Sequence, residues 1–163
     1  MKSNLRRFFL GVPGVILLYV PLLLLWLEFQ EVPFLSLTWW RYNLAFLLFW
    51  GGIVLAGRAY YLLVSCGKGN PLGQIPTTKL VKTGPYAYVR NPVCVGLEMA
   101  LLGEALYFGS LYLLLWAVLV GAAIYFYIVH VEEFRLANKF GQEYVNYKMD
   151  VGMFFPKGLF RKW

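Results

Sequence analysis

Long apolar runs, each near the length needed to cross a bilayer, constrain this chain more than any other feature. Leu111 to Val131 contains no Lys, Arg, Asp or Glu. Phe8 to Leu27 is a second such run, and a third, interrupted by Arg58, extends from about Asn43 to Val64. At 1.5 Å of rise per residue, about twenty residues cover the roughly 30 Å hydrocarbon layer. A fourth run, Pro92 to Tyr107, reaches only about 24 Å and carries Glu98 and Glu104. Backbone facing lipid must satisfy its own hydrogen bonds, so these runs are expected to be helices. The chain is 60% apolar and 14% charged over 163 residues, whereas soluble domains carry about 25% charge. The expected fold is therefore an all-α integral membrane protein of about four transmembrane helices. Its third and fourth helices form a C-terminal hairpin with a turn at Phe108-Gly109-Ser110, followed by an amphipathic cytosolic tail helix. Two segments are expected, an N-terminal pair of membrane helices over 1–64 and a polar loop, hairpin and tail over 65–163.

The net charge of +7 lies in clusters beside the apolar runs. That pattern suits anionic lipid headgroups and argues against nucleic acid as a partner. Lys2, Arg6 and Arg7, the Ser65–Asn91 connection and the tail are basic. The Glu28–Asn43 loop is slightly acidic and the Phe108 turn uncharged, so the positive-inside rule puts both termini and the long connection in the cytosol. The first run has no cleavage site after it and reads as a retained helix, which Pro13 and Pro21 can kink. Trp39, Trp40 and Tyr42 suit the interfacial aromatic belt. Arg58 either snorkels to a headgroup or meets an anionic group. Cys66 and Cys94 lie far apart and there is a single His, so neither a zinc site nor a disulfide framework is expected.

Leu80–Gly96 is a polar collar in this apolar chain. It concentrates Lys82, Tyr86, Tyr88, Arg90 and Asn91. Gly67, Gly69, Pro71, Gly73, Pro76, Gly84 and Pro85 rule out a continuous helix before it. Gly84-Pro85-Tyr86 reads as a tight turn, and Asn91-Pro92 as a helix start. The Leu111–Val131 run returns to the same side and ends in Glu132-Glu133. Carboxylates at a helix C-terminus oppose the macrodipole and call for a cationic partner or a ligand. Beyond them Phe134, Leu136, Phe140, Tyr144 and Tyr147 recur at helical spacing, interrupted at Gly141. Rings, cations, amides and carboxylates together suit a ligand that is at once aromatic base, carboxylate and cation. S-adenosyl-L-methionine is all three, and transfer of its methyl group needs positioning and electrostatics rather than a metal. Composition alone does not lead to methyl transfer.

The motifs do. Gly84-Pro85-Tyr86-x-Tyr88-Val89-Arg90-Asn91-Pro92-x-x-x-Gly96, then Glu132-Glu133, then Phe140-Gly141-x-Glu143-Tyr144-x-x-Tyr147 resembles the isoprenylcysteine carboxyl methyltransferase family. The pattern is also similar to the related phospholipid N-methyltransferases. Leu80-Val81 and Pro156 fit it too, and the likeness runs from about Ser65 to Pro156. The resemblance implies an integral membrane methyltransferase that uses S-adenosyl-L-methionine on a lipophilic acceptor entering from the bilayer, by carboxyl O-methylation or amine N-methylation. It implies a cofactor pocket of Thr78, Leu80, Val81, Tyr86, Asn91, Pro92, Val93, Cys94 and Glu132, with Glu132 on the cofactor's ammonium. Arg90 and Glu133 are implied as the catalytic pair beside the membrane-facing entrance. Asn91 stands where many relatives have His, which removes a titratable base. Cys94 replaces a common Tyr. Ile128 occupies the position of an arginine thought to hold the substrate carboxylate in the eukaryotic prenylcysteine enzymes, so a lipid amine or another small lipophilic acceptor stays open. The contrasting expectation is a non-enzymatic lipid-binding or structural subunit with Glu98 as its functional group; such a protein needs neither the collar nor the Glu pair. Glu98 and Glu104, six residues apart, face different sides of a helix; Glu98 could reach Arg90 or the acceptor. His130 reads as an interfacial side chain or a proton acceptor.

Overall fold

The computed structural model describes residues 11, 14–28, 39–67 and 78–157. Expectations for Lys2, Arg6, Arg7, Pro13, Glu31 and the Gly69–Pro76 stretch fall outside those residues. The regular structure described is helical. A π-helical turn, Val15–Tyr19, leads into α1 (Val20–Glu28), and α2 spans Trp39–Ser65. A short 3-10 turn at Gly84–Ala87 precedes α3 (Pro92–Phe108), which is followed by α4 (Leu111–Tyr127). A second π-helical turn, Ile128–Glu132, joins α4 to α5 (Glu133–Phe140), and α6 covers Gln142–Asp150. Among the described residues there is no strand, only a bridge between Val89 and Gly152.

Among the described residues, two helices are long and apolar enough to cross a membrane: α2, with 27 residues, and the continuous run Leu111–Phe140, with 30. The Val15–Leu27 helix is apolar but shorter, and α3 has 17 residues. Trp39, Leu47 and Val54 on α2, and Leu115, Val118 and Leu119 on α4, are all exposed. Outward-facing bulk of this kind costs free energy in water and none in lipid, so the surface itself supports a membrane setting.

The chain divides into two compact units, Met1–Gly52 with Leu97–Ala123, and Ile53–Gly96 with Ile124–Trp163. In the first, α2 and α3 approach closely. A Cβ on Gly103 would sit 2.6 Å from the Phe49 backbone nitrogen and 2.9 Å from the Ala45 carbonyl oxygen, so only glycine permits the contact. The α3–α4 turn lies where the sequence predicts it. Gly109 has φ +65° and Ser110 N–H bonds back to the Ala105 carbonyl at 3.2 Å, the pairing expected when a left-handed glycine ends a helix. Ser110 Oγ then accepts the Leu113 N–H at 3.1 Å, capping α4. Leu113, Ala117 and Val120 form the buried face of α4. Trp116 Nε1 donates to the Ile16 carbonyl at 3.2 Å.

The second unit holds the collar. Ala59, Val81 and Tyr86 form a buried cluster with Leu62, Leu63 and Val93 packed against it. Tyr144, Tyr147 and Val151 form another, flanked by Leu80, Leu136, Ala137 and Phe140. The expected tail helix is therefore two short helices, α5 and α6, broken at Gly141, where φ is +54°. Their aromatic residues turn inward over the collar.

Candidate functional site

The collar is held at both ends by backbone. Tyr88 and Val89 N–H groups both bond to the Pro85 carbonyl at 3.1 Å, closing the turn that the sequence predicts. Arg90 N–H bonds to the Gly152 carbonyl at 2.8 Å and Asn91 N–H to the Met153 carbonyl at 3.2 Å. The segment after α6 thus satisfies the two collar amides immediately before α3, and Asn91 in turn offers its carbonyl to the Val95 N–H at 3.1 Å. Pro92, the first residue of α3, is fully buried, as suits a residue that needs no amide partner.

The two glutamates of the pair have different fates. Glu133 is buried at 8% exposure. Its Oε1 accepts from Arg90 Nη1 at 2.6 Å, and its Oε2 pairs with Lys148 Nζ. One carboxylate thus sits between two cations. Glu132 is half-buried, and its carboxylate makes no hydrogen bond or ion pair among the described residues. Adjacent positions on a helix point about 100° apart, so a tandem pair cannot aim both carboxylates at Arg90. The π-helical turn Ile128–Glu132 ends at this junction; such single turns with an extra residue recur at functional sites.

Tyr86 is the hub of the collar. It is 7% exposed, its hydroxyl donates to the Ala59 carbonyl at 3.4 Å, and its own carbonyl accepts from the Tyr147 hydroxyl at 2.6 Å. Burial pushes the Tyr86 hydroxyl well above the usual phenol range, with smaller pushes from Cys94, Glu132 and Tyr147 nearby. Burial also raises Tyr144 and Tyr147 to about 12, against the opposing pull of the Arg90 guanidinium. Arg90, Glu133, Tyr144, Tyr147, Tyr86, Cys94 and Glu132 thus form one electrostatic cluster.

The remaining predicted site residues distribute around that cluster. Val81 and Val93 pack with Tyr86, and Leu80 packs with the Tyr144 group. Thr78 is exposed, and both its amide and its hydroxyl bond to the Gly67 carbonyl, at 2.8 Å and 3.3 Å. Ile128, at the position discussed for an arginine, is buried at 1% exposure. Glu98 lies with its carboxyl against Gly121 of α4, and His130 is exposed and stacked on Phe126 with ring centroids 6.1 Å apart. Lys82 pairs with Glu143 at 2.7 Å on the surface. Sequence reasoning missed Lys148 as the second counterion of Glu133 and the Tyr147 contact to the Tyr86 carbonyl. The recurring tail aromatics were the available signal for the latter.

Two polar atoms in the cluster fit an unfilled role. Arg90 Nε, a donor, is buried with no hydrogen-bond partner among the described residues. The Glu132 carboxylate, an acceptor, is half-buried and has no hydrogen-bond or ion-pair partner among the described residues, although the Arg135 charge acts on it. Buried polar groups are nearly always bonded, so the Arg90 Nε donor suits an acidic ligand group such as a carboxylate, and the half-buried Glu132 suits a basic one.

The model of the phospholipid methyltransferase family matches residues 40–143, more than half of the chain. The chain belongs to the phospholipid methyltransferase family. That family supports a membrane methyltransferase of lipid-like substrates, and the expected kinship with isoprenylcysteine carboxyl methyltransferases agrees with it. A comparison with curated proteins gives no match. The phospholipid methyltransferase match includes the collar and both glutamates, and it ends at Glu143.

Proposed function

We propose that this protein is an integral membrane methyltransferase that uses S-adenosyl-L-methionine and acts on a lipophilic acceptor drawn from the bilayer. The unequal treatment of the Glu pair carries this reading. Glu133 is consumed by Arg90 and Lys148, which leaves Glu132, close to Tyr86, as the carboxylate for a ligand's ammonium. Arg90 Nε supplies a donor for the ligand's carboxylate, while Asn91 to Cys94 and the Leu80-Val81 backbone line the pocket around the base. Tyr86 acts mainly as a wall, because its hydroxyl is committed to Ala59. Thr78 borders the pocket through its backbone.

When bound, the cofactor supplies a methyl group on a sulfonium for in-line transfer to the acceptor. The protein's contribution is positional and electrostatic. The Arg90–Glu133–Lys148 triad fixes the collar against the tail and leaves a local surplus of positive charge. Asn91 cannot serve as a base, so an amine acceptor that arrives neutral, or a carboxylate already ionised, suits the site. Helices 15–28 and 92–108 complete four membrane crossings in this proposal, with both termini and the site on the cytosolic side.

The test is calorimetric titration of S-adenosyl-L-methionine into the full-length protein in detergent and in lipid nanodiscs. Saturable binding is expected, and Glu132→Gln should weaken it by roughly ten- to a hundredfold, the loss expected for one charge-assisted bond. A folded wild-type protein that binds no cofactor in either medium would refute the methyltransferase reading. Once binding is established, transfer of labelled methyl to an ethanolamine lipid or to a lipophilic carboxylate distinguishes N- from O-methylation.

A further inference from the structure

In the first unit, a cavity of about 260 Å³ opens between α2 and α3. Its walls are aromatic: Phe46, Phe49 and Trp50 from α2, and Tyr107 and Phe108 from α3. The rings interlock, with Phe49 and Trp50 edge to face at 5.4 Å and Tyr107 and Phe108 edge to face at 5.2 Å. Into this lining, beside the Tyr107 phenol, comes one carboxyl group, that of Glu104. Its Oε2 is buried and has no hydrogen-bond partner among the described residues. No Lys, Arg or His is among the cavity's lining residues.

An acidic group at membrane depth is costly and by default serves a function. A single carboxyl group among aromatic faces selects its ligand in three ways. The carboxylate and the ring quadrupoles both attract a cation. The bare Oε2 wants a hydrogen-bond donor. The apolar walls take up alkyl chain. A protonated amine on a lipophilic tail meets all three conditions. A quaternary ammonium has no N–H to give, and an alcohol has no charge. We infer that the α2–α3 cavity is a binding site for a protonated lipophilic amine, anchored by Glu104. Glu104 lies near the C-terminal end of α3, whereas the collar leads into its first turn, and no collar residue lines the cavity. The inference stands independently of the methyltransferase reading.

Trp50 in the wall provides the readout. The full-length protein in maltoside detergent, which carries no amine, is titrated with 11-bromoundecylamine, 11-bromoundecanol and (11-bromoundecyl)trimethylammonium, whose bromine quenches tryptophan emission. The amine should quench saturably, at least about tenfold more tightly than the alcohol or the quaternary analogue, as one charge-assisted hydrogen bond provides. Unlabelled undecylamine should restore the emission, and Trp50→Phe should remove the saturable component. Glu104→Gln should abolish the preference for the amine. Equal affinity for amine and alcohol would mean only an apolar groove filled by any chain, and equal affinity for the quaternary analogue would eliminate the hydrogen bond; either result overturns the inference. The wild-type comparison decides this even if Glu104→Gln does not fold.

Discussion

Replacing either member of the Glu132-Glu133 pair by glutamine should have opposite consequences. The Arg90 and Glu133 side chains are 7% and 10% exposed. Removing one partner of a buried ion pair costs about 3–5 kcal/mol, because the other charge is left in low dielectric. Two factors favour the lower end of that range. Glutamine retains an oxygen that can still accept from Arg90, and the Lys148 side chain, 50% exposed, can return to water. A loss of about 3 kcal/mol is therefore expected for Glu133→Gln. At about 2–4 °C per kcal/mol for a chain of this size, the midpoint should fall by roughly 6–12 °C. Glu132→Gln breaks no ion pair and should move the midpoint by less than about 2 °C while weakening the proposed cofactor binding by about ten- to a hundredfold. Thermal unfolding in detergent, followed by tryptophan emission, checks both. An Arg90→Gln/Glu133→Gln double variant should be markedly less destabilised than the sum of the singles, because the pair acts as a unit. The reasoning fails if Glu133→Gln unfolds within about 1 °C of wild type, or if Glu132→Gln destabilises as strongly.

Three further outcomes follow from the packing. Tyr147→Phe leaves the buried Tyr86 carbonyl without its 2.6 Å partner and should cost about 1–3 kcal/mol in the same melt. Gly103→Ala puts a methyl group 2.6 Å from the Phe49 backbone nitrogen, where neither helix can yield without shifting, and should cost about 1–3 kcal/mol and lower the yield of folded protein. Tyr144 and Tyr147 titrate near 12 in the fold against 10.0 when free. The native state then holds more protons between those values, so stability is fully present below about pH 10 and falls as pH rises towards about 12. Alkaline melts should show that decline, and Tyr144→Phe/Tyr147→Phe should flatten it.

The parts of the fold that were legible in the sequence are those with local chemical punctuation. Pro92 starts α3, Gly109 and Ser110 end one helix and cap the next, and Gly141 divides the tail; each acts through its own φ, its own missing amide or a bond to a near neighbour. The collar's tight turn is of the same kind. What escaped is set by contacts between distant segments. Nothing in Ile128–Glu132 announces a π-helical turn, because its extra residue depends on surrounding packing rather than on local preference. Nor does an adjacent pair of glutamates state which one is neutralised; that depends on where Lys148, fifteen residues away, comes to lie. Tyr86 reads as a ligand-facing ring from its motif, yet its hydroxyl is turned to Ala59 on α2, 27 positions earlier. Glu104 was visible as an acid in an apolar run, but its aromatic surroundings required the approach of α2 and α3 at Gly103.

The family match ends at Glu143, but the physical site does not. Four of the contacts that hold the collar come from beyond that residue. Tyr147 caps the Tyr86 carbonyl, Lys148 supplies the second cation to Glu133, and the Gly152 and Met153 carbonyls take the Arg90 and Asn91 amides. Without them, two collar amides would lose their protein acceptors and Glu133 would keep only Arg90. The residues from Tyr144 to Met153 are therefore as much a part of the site as the motif they cover, and they fix Arg90 by its backbone and its side chain at once. That double attachment leaves Arg90 Nε buried without a hydrogen-bond partner among the described residues.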